Sequence, residues 1–270
     1  MTERTPPLPL FRAAMNNGRI STVLWSAGIL AAISLYLPLY PSIGGANSQM
    51  ARLIAELPKQ LVATIGYTDI ATGAGYAGAT FYGLAGFAII VIAATAWGTG
   101  TTASAEEDGE LVLVLAHGVS RTQVVLEGTL ATAVRLVWLV TLSGAAVWAL
   151  NDPAQLELRP ANVTAVSAAF LGLGLISAAA AIAAGALLGR RTPAISAGAG
   201  VAVIAYILNA VGSQSATLQW LRTLSPYGWA YQHTPLATGV DWGGLALLYG
   251  LALTLIVVAV VGFNRRDVGR

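Results

Sequence analysis

Apolar residues run through the chain in long blocks, separated by short polar stretches. A helix needs about 20 apolar residues to cross the hydrocarbon of a bilayer. Blocks of that kind fall at 20–40, 78–100, 123–150, 162–189, 193–212 and 243–263, which predicts six spans. Five of them hold no charged residue, and the third holds Glu127 and Arg135. Only Arg190, Arg191 and Thr192 separate the fourth block from the fifth, so these two must form an antiparallel pair. Two shorter patterns have helical spacing. Leu10, Phe11, Ala14 and Met15 oppose Arg12, Asn16 and Asn17, which predicts an amphipathic helix lying in the interface ahead of the first span. Met50, Leu53, Ile54, Leu57 and Leu61 oppose Arg52, Glu56, Lys59 and Gln60, which predicts a second one on the outer leaflet.

One stretch breaks this scheme. Four of the twelve acids, Glu106, Glu107, Asp108 and Glu110, lie within five residues. Directly after them comes the apolar run Leu111–Ala116, far too short to cross a bilayer.

Composition sharpens the class. Hydrophobic residues make up 56% of the 270 and charged residues 10%, against about 25% charged in a soluble domain. The chain is therefore expected to be an all-α membrane protein. Its net charge of +2 gives no case for a nucleic-acid partner. With no cysteine there is no disulfide, thiolate metal site or cysteine nucleophile. Prolines 6, 7 and 9 break the amino terminus, and no small-residue cleavage site follows, so a cleavable signal is not expected. No internal repeat divides the chain. We expect a single membrane domain over 1–270, with a tail and interfacial helix at 1–19, spans within 20–263 and a second tail at 264–270.

Basic residues give the direction. With both termini in the cytoplasm, the inner set is Arg4, Arg12, Arg19, Arg121, Arg190, Arg191, Arg265, Arg266 and Arg270, and the outer set is Arg52, Lys59, Arg159 and Arg222. The excess of inner arginines favours that orientation and puts the acidic stretch in the cytoplasm.

The side-chain inventory is poor in catalytic groups. His117 and His233 lie outside the spans on opposite sides, and no HExxH pattern is present, so a zinc or serine-hydrolase site has no basis. Lys59, the only lysine, sits in Pro58-Lys59-Gln60, so there is no Gly-Lys-Ser/Thr phosphate loop. The chain is not expected to hydrolyse nucleotide or to bind a cofactor itself. Arg135 falls about 18 Å into the third span, near mid-membrane, where a charge marks either a transport pathway or a tie to neighbouring carbonyls. Glu127 shares its face but is about 12 Å away, too far for a direct pair. Small residues, such as Ser177–Ala181 and Ser196–Gly200, allow close helix packing, including packing against a second copy.

The acidic stretch resembles a known family. Glu106-Glu107-Asp108-Gly109-Glu110-Leu111, through Leu113 to His117-Gly118-Val119-Ser120-Arg121, is similar to the loop after the second span of type-2 ABC transporter permeases. Gly118 stands where proline is usual in that family, and His117 is also atypical. Leu224–Trp229 resembles the family's segment before the last span, and Phe263–Val268 its ending. The resemblance covers nearly the whole chain and is strongest to bacterial exporters of antibiotics and other lipophilic compounds. Many of those have twelve spans, so this chain resembles a half.

The resemblance implies the type-2 exporter permease fold, with six transmembrane helices and a cytoplasmic coupling helix, in a bacterial cell membrane. It implies that Glu106, Glu107, Gly109, Leu111, Leu113, His117, Val119 and Arg121 couple to a separate ATP-binding subunit, which holds ATP and Mg. The apolar run would be buried on that partner, and the acids would stay in water or meet its basic residues. A second permease half, membrane lipids and a lipophilic substrate complete the implied partners. Glu127 and Arg135 are candidates for the pathway. An ion-coupled secondary transporter and a non-transporting anchor or sensor subunit remain as other classes; five charge-free spans argue against the former.

Overall fold

The computed structural model describes residues 8–43 and 70–266. The outer amphipathic pattern at 50–61 lies outside them, as do Arg4 and Arg270. Every regular element among the described residues is helical. Six helices are long and apolar enough to cross a membrane: span 1 Arg19–Ser42, span 2 Gly73–Thr101, span 3 Arg121–Ala149, span 4 Pro160–Leu188, span 5 Arg191–Gly212 and span 6 Trp242–Arg265. Each apolar block of the sequence becomes one of them. Span 2 starts five residues earlier than its block because Thr72 caps it, its hydroxyl accepting the Gly75 N–H at 3.0 Å.

Local chemistry sets the other ends. The Ser120 hydroxyl accepts the Gln123 N–H at 3.1 Å and starts span 3. An Asp241 carboxylate oxygen accepts the Gly243 and Gly244 N–H groups at 3.0 and 3.1 Å and starts span 6. Gly189 ends span 4 in the left-handed region, at φ 66°. Arg190 then carries the chain straight into span 5, so spans 4 and 5 form the expected antiparallel pair.

Span 4 is the most buried helix and packs on spans 2, 3, 5 and 6. Its small residues let neighbours approach closely. A Cβ added at Gly98 of span 2 would lie 2.6 Å from the Ala178 carbonyl oxygen. This is backbone-to-backbone packing of the kind that holds helices together in lipid. One core joins spans 1 to 4 around Phe81, Tyr82 and Phe170. Another, at the opposite end, gathers Leu111, Val124, Val125, Ile182 and Phe263.

Within span 2, Gly78–Ala85 is wound as a π-helix. The wider winding is met by two tyrosines of the short helix Pro226–Tyr231. Tyr227 donates to the Gly83 carbonyl at 2.9 Å, and Tyr231 to the Tyr82 carbonyl at 3.1 Å. The aromatics at 220–242 divide into two groups. Trp220 and Trp242 are exposed, whereas the Tyr227 and Tyr231 hydroxyls turn inward and bond the backbone of span 2.

Candidate functional site: a clamped elbow between spans 2 and 3

The acidic stretch folds as two short helices, Ala103–Glu107 and Glu110–Ala116, directly after span 2. Gly109 makes the bend between them at φ 75°, and Gly118 ends the second at φ 81°. Both values lie in the region that residues with a Cβ avoid. They also explain the departure at Gly118: the proline usual there in the resembled family has φ fixed near −65° and cannot take this conformation.

Three of the acids are bonded to arginines of the chain itself, and Glu107 and Asp108 remain exposed while so paired. The Glu106 carboxylate pairs with the guanidinium of Arg266, at the end of span 6. Glu107 accepts the backbone N–H of Arg191 at 2.9 Å and lies 3.4 Å from its Nε, while Asp108 accepts a bond from the same guanidinium. Of the four, Glu110 alone makes no ion pair among the described residues. The expectation is that these carboxylates stay in water or meet a partner's basic residues; Glu107, Asp108 and Glu110 are exposed, and three of the four also pair with the chain's own arginines. Arg121, the first residue of span 3, donates to the carbonyls of Phe263, at 3.3 Å, and of Arg266. The elbow is thus continuous with spans 2 and 3 and bonded to the start of span 5 and the end of span 6.

The apolar run divides by face. Leu111 is 1% exposed and sits in the core with Val124, Val125 and Phe263. Val114, Leu115 and Val119 pack partly on the same cluster. Val112 and Leu113, at 50% and 64% exposure, point away from the bundle. His117 is exposed, and its Nδ1–H donates to the Leu113 carbonyl at 2.7 Å, closing the last turn. Leu111 is therefore buried on its own chain rather than awaiting another protein. The outward apolar surface belongs to Val112 and Leu113.

Span 3 places Glu127 and Arg135 on the amphipathic helix Pro9–Asn17. Glu127, 4% exposed, accepts the Phe11 backbone N–H at 2.8 Å and the Gln123 side-chain amide at 2.6 Å. Phe11 lies in the first turn, and Leu8 supplies no side-chain cap, so the carboxylate satisfies an amide that would otherwise be orphaned. Arg135, 7% exposed, donates to the Ala14 carbonyl near the other end, with its guanidinium 5.5 Å from the centre of the Trp97 ring. Anion at the N-terminus and cation toward the C-terminus match the helix dipole. Eight residues of span 3 cover about 12 Å and the nine-residue helix about 13 Å, which is why one helix can bridge two groups too far apart to pair.

A family model described as the multidrug efflux system permease Rv1217c, C-terminal domain, matches residues 11–264. The chain belongs to that family. No curated protein matches it. The permease's matched region takes in the elbow and all its bonded partners except Arg266, which falls just beyond it. In the sequence, Arg191 and Arg266 served only as topology markers. Neither their pairing with the acids nor the exposed Val112 was visible there. The signal that existed was numerical: three clustered carboxylates and two arginines, all at the cytoplasmic ends expected for the spans.

Proposed function

We propose that the chain is the membrane subunit of a type-2 ATP-binding-cassette exporter, moving a lipophilic or amphipathic compound out of the cell. ATP and Mg are held and hydrolysed on a separate subunit, and a second permease half completes the unit. The supporting observation is the elbow. It presents Val112 and Leu113 outward, next to Glu110, while its other side is fixed to four span ends. An ATPase that seats on the outward face and moves on nucleotide closure displaces spans 2, 3, 5 and 6 together, as a rigid-body transition. Export rather than import follows from the family's description as an efflux permease.

In this reading the ion pairs carry force and need not bind the partner. Glu106→Arg or Arg266→Glu alone is expected to retain the ATPase but lose most substrate-stimulated hydrolysis, and the double exchange to restore a good part of it. The loss corresponds to about 1–3 kcal/mol, between an exposed pair and a fully buried one. The check is stimulated ATPase activity of the purified complex in vesicles, read beside the amount of ATPase recovered. No rescue in the double variant would remove the clamp from the mechanism.

The orientation is testable because the chain has no cysteine. A single cysteine at the exposed Glu110 should react with an impermeant maleimide only after the cells are permeabilised. Reaction in intact cells would reverse the orientation and the coupling proposal with it.

A further inference from the structure

Spans 4 and 6 leave an open groove of about 560 Å³ between their ends, lined by Leu187, Val257, Val258, Val261, Gly262, Arg265 and Arg266. We propose that this groove binds one anionic phospholipid, with its headgroup phosphate on Arg265 and an acyl chain along the valines. The inference needs the spans to sit in a membrane and does not depend on the transport reading.

The last turn of span 6 is pinned, so the cation's place is not accidental. Arg121 holds the Phe263 and Arg266 carbonyls, and the Asn264 amide donates to the Thr122 hydroxyl at 2.9 Å. Arg266 also lines the groove, but its guanidinium is paired with Glu106 and lies 6.0 Å from the centre of the Phe263 ring. Arg265, one residue earlier, points elsewhere and has no carboxylate partner among the described residues. Val258, Val261 and Arg265 recur at helical spacing on one face. Apolar wall and cation are therefore stacked along the helix axis over about 10 Å, in the order of a phospholipid's tail and head.

Every span shows apolar side chains to lipid, and such a surface alone selects nothing. The groove adds a recess, and Arg265 adds a charge at its cytoplasmic end. Basic pockets between spans at the cytoplasmic face recognise anionic headgroups, at about 1 kcal/mol per arginine. A soluble ATPase does not suit the valines, which run up the membrane side of the arginine. A symmetric contact that laid this face on its own copy would bring Arg265 close to its counterpart, like charge against like charge.

The test is native mass spectrometry of the detergent-solubilised chain titrated with phosphatidylglycerol or phosphatidylcholine. The expected result is one retained phosphatidylglycerol, bound about fivefold more tightly than phosphatidylcholine, the equivalent of one arginine's contribution. Arg265→Gln should equalise the two lipids, Arg265→Lys should keep the preference, and Val258→Trp should weaken both by filling the recess. Arg190→Gln, which removes another exposed arginine outside the groove, should change nothing. Equal binding of the two lipids to the unaltered chain, or a preference that survives Arg265→Gln, would overturn the proposal. So would displacement of the lipid by millimolar inorganic phosphate, or a Val258→Trp variant that changes oligomeric state while lipid binding is unaffected.

Discussion

Leu113→Asp should abolish recovery of the ATP-binding subunit on the tagged permease while leaving the permease folded. Leu113 is 64% exposed on the outer face of the elbow, so a carboxylate there is well solvated in the free chain. Once an ATPase covers it, the same carboxylate is an unpaired buried charge, worth about 3 kcal/mol or more, and affinity falls by about a hundredfold. Val112→Asp should act in the same direction. Leu111→Asp makes the contrast. Its side chain is buried among Val124, Val125 and Phe263, so the charge would be forced into the chain's own core. Folded yield should collapse before any question of docking arises. Size-exclusion profiles of the permease and the ATPase recovered with it separate the two effects. If Leu113→Asp binds the ATPase normally, the elbow's outer face is not the docking surface.

The second large effect is at Arg135. Removing the guanidinium leaves the Ala14 carbonyl without a charged donor and the Trp97 face without its cation. A hydrogen bond to a charged group contributes about 1.5–3 kcal/mol, and the ring contact adds to it. Arg135→Ala should therefore lower the thermal unfolding temperature and the yield. Gly18 provides a second route to the same contact, because a Cβ there would lie 2.0 Å from an Arg135 guanidinium nitrogen. Gly18→Val should cost a similar amount. The two changes should be strongly non-additive, since either one breaks the same tie. Additive losses, or an Arg135→Ala variant of unchanged stability but altered transport, would make Arg135 a pathway residue instead.

Much of the fold was legible because lipid imposes one simple rule, about 20 apolar residues per crossing, and the six blocks obeyed it. The caps Ser120 and Asp241 act locally but were not read as helix starts from the sequence. The π-helical winding at Gly78–Ala85 was not legible. It depends on Tyr227 and Tyr231, which lie more than 140 residues away and look like interfacial aromatics until they are seen bonded to span 2. The elbow was found through its acids, but their pairing with the chain's own arginines was not foreseen. Periodicity says which residues share a face; it does not say that Arg191 and Arg266 come within reach. The same gap separated Leu111 from Leu113, two residues apart in a short helix and opposite in burial. Glu127 and Arg135 were correctly judged too far apart to pair. What bridges them is a helix from the other end of the chain, and no local pattern reports that.

The central claim is that this permease is driven by ATP hydrolysed on a separate subunit seated on the elbow. The most direct measurement is purification of the tagged chain from its native membrane, followed by vesicle reconstitution and Mg-ATP hydrolysis with and without lipophilic compounds. The account requires an ATP-binding subunit in stoichiometric amount, hydrolysis stimulated by a transported compound, and loss of both with Leu113→Asp. A chain that exports the compound in such vesicles under an ion gradient, with no ATPase present and no response to ATP, would contradict it.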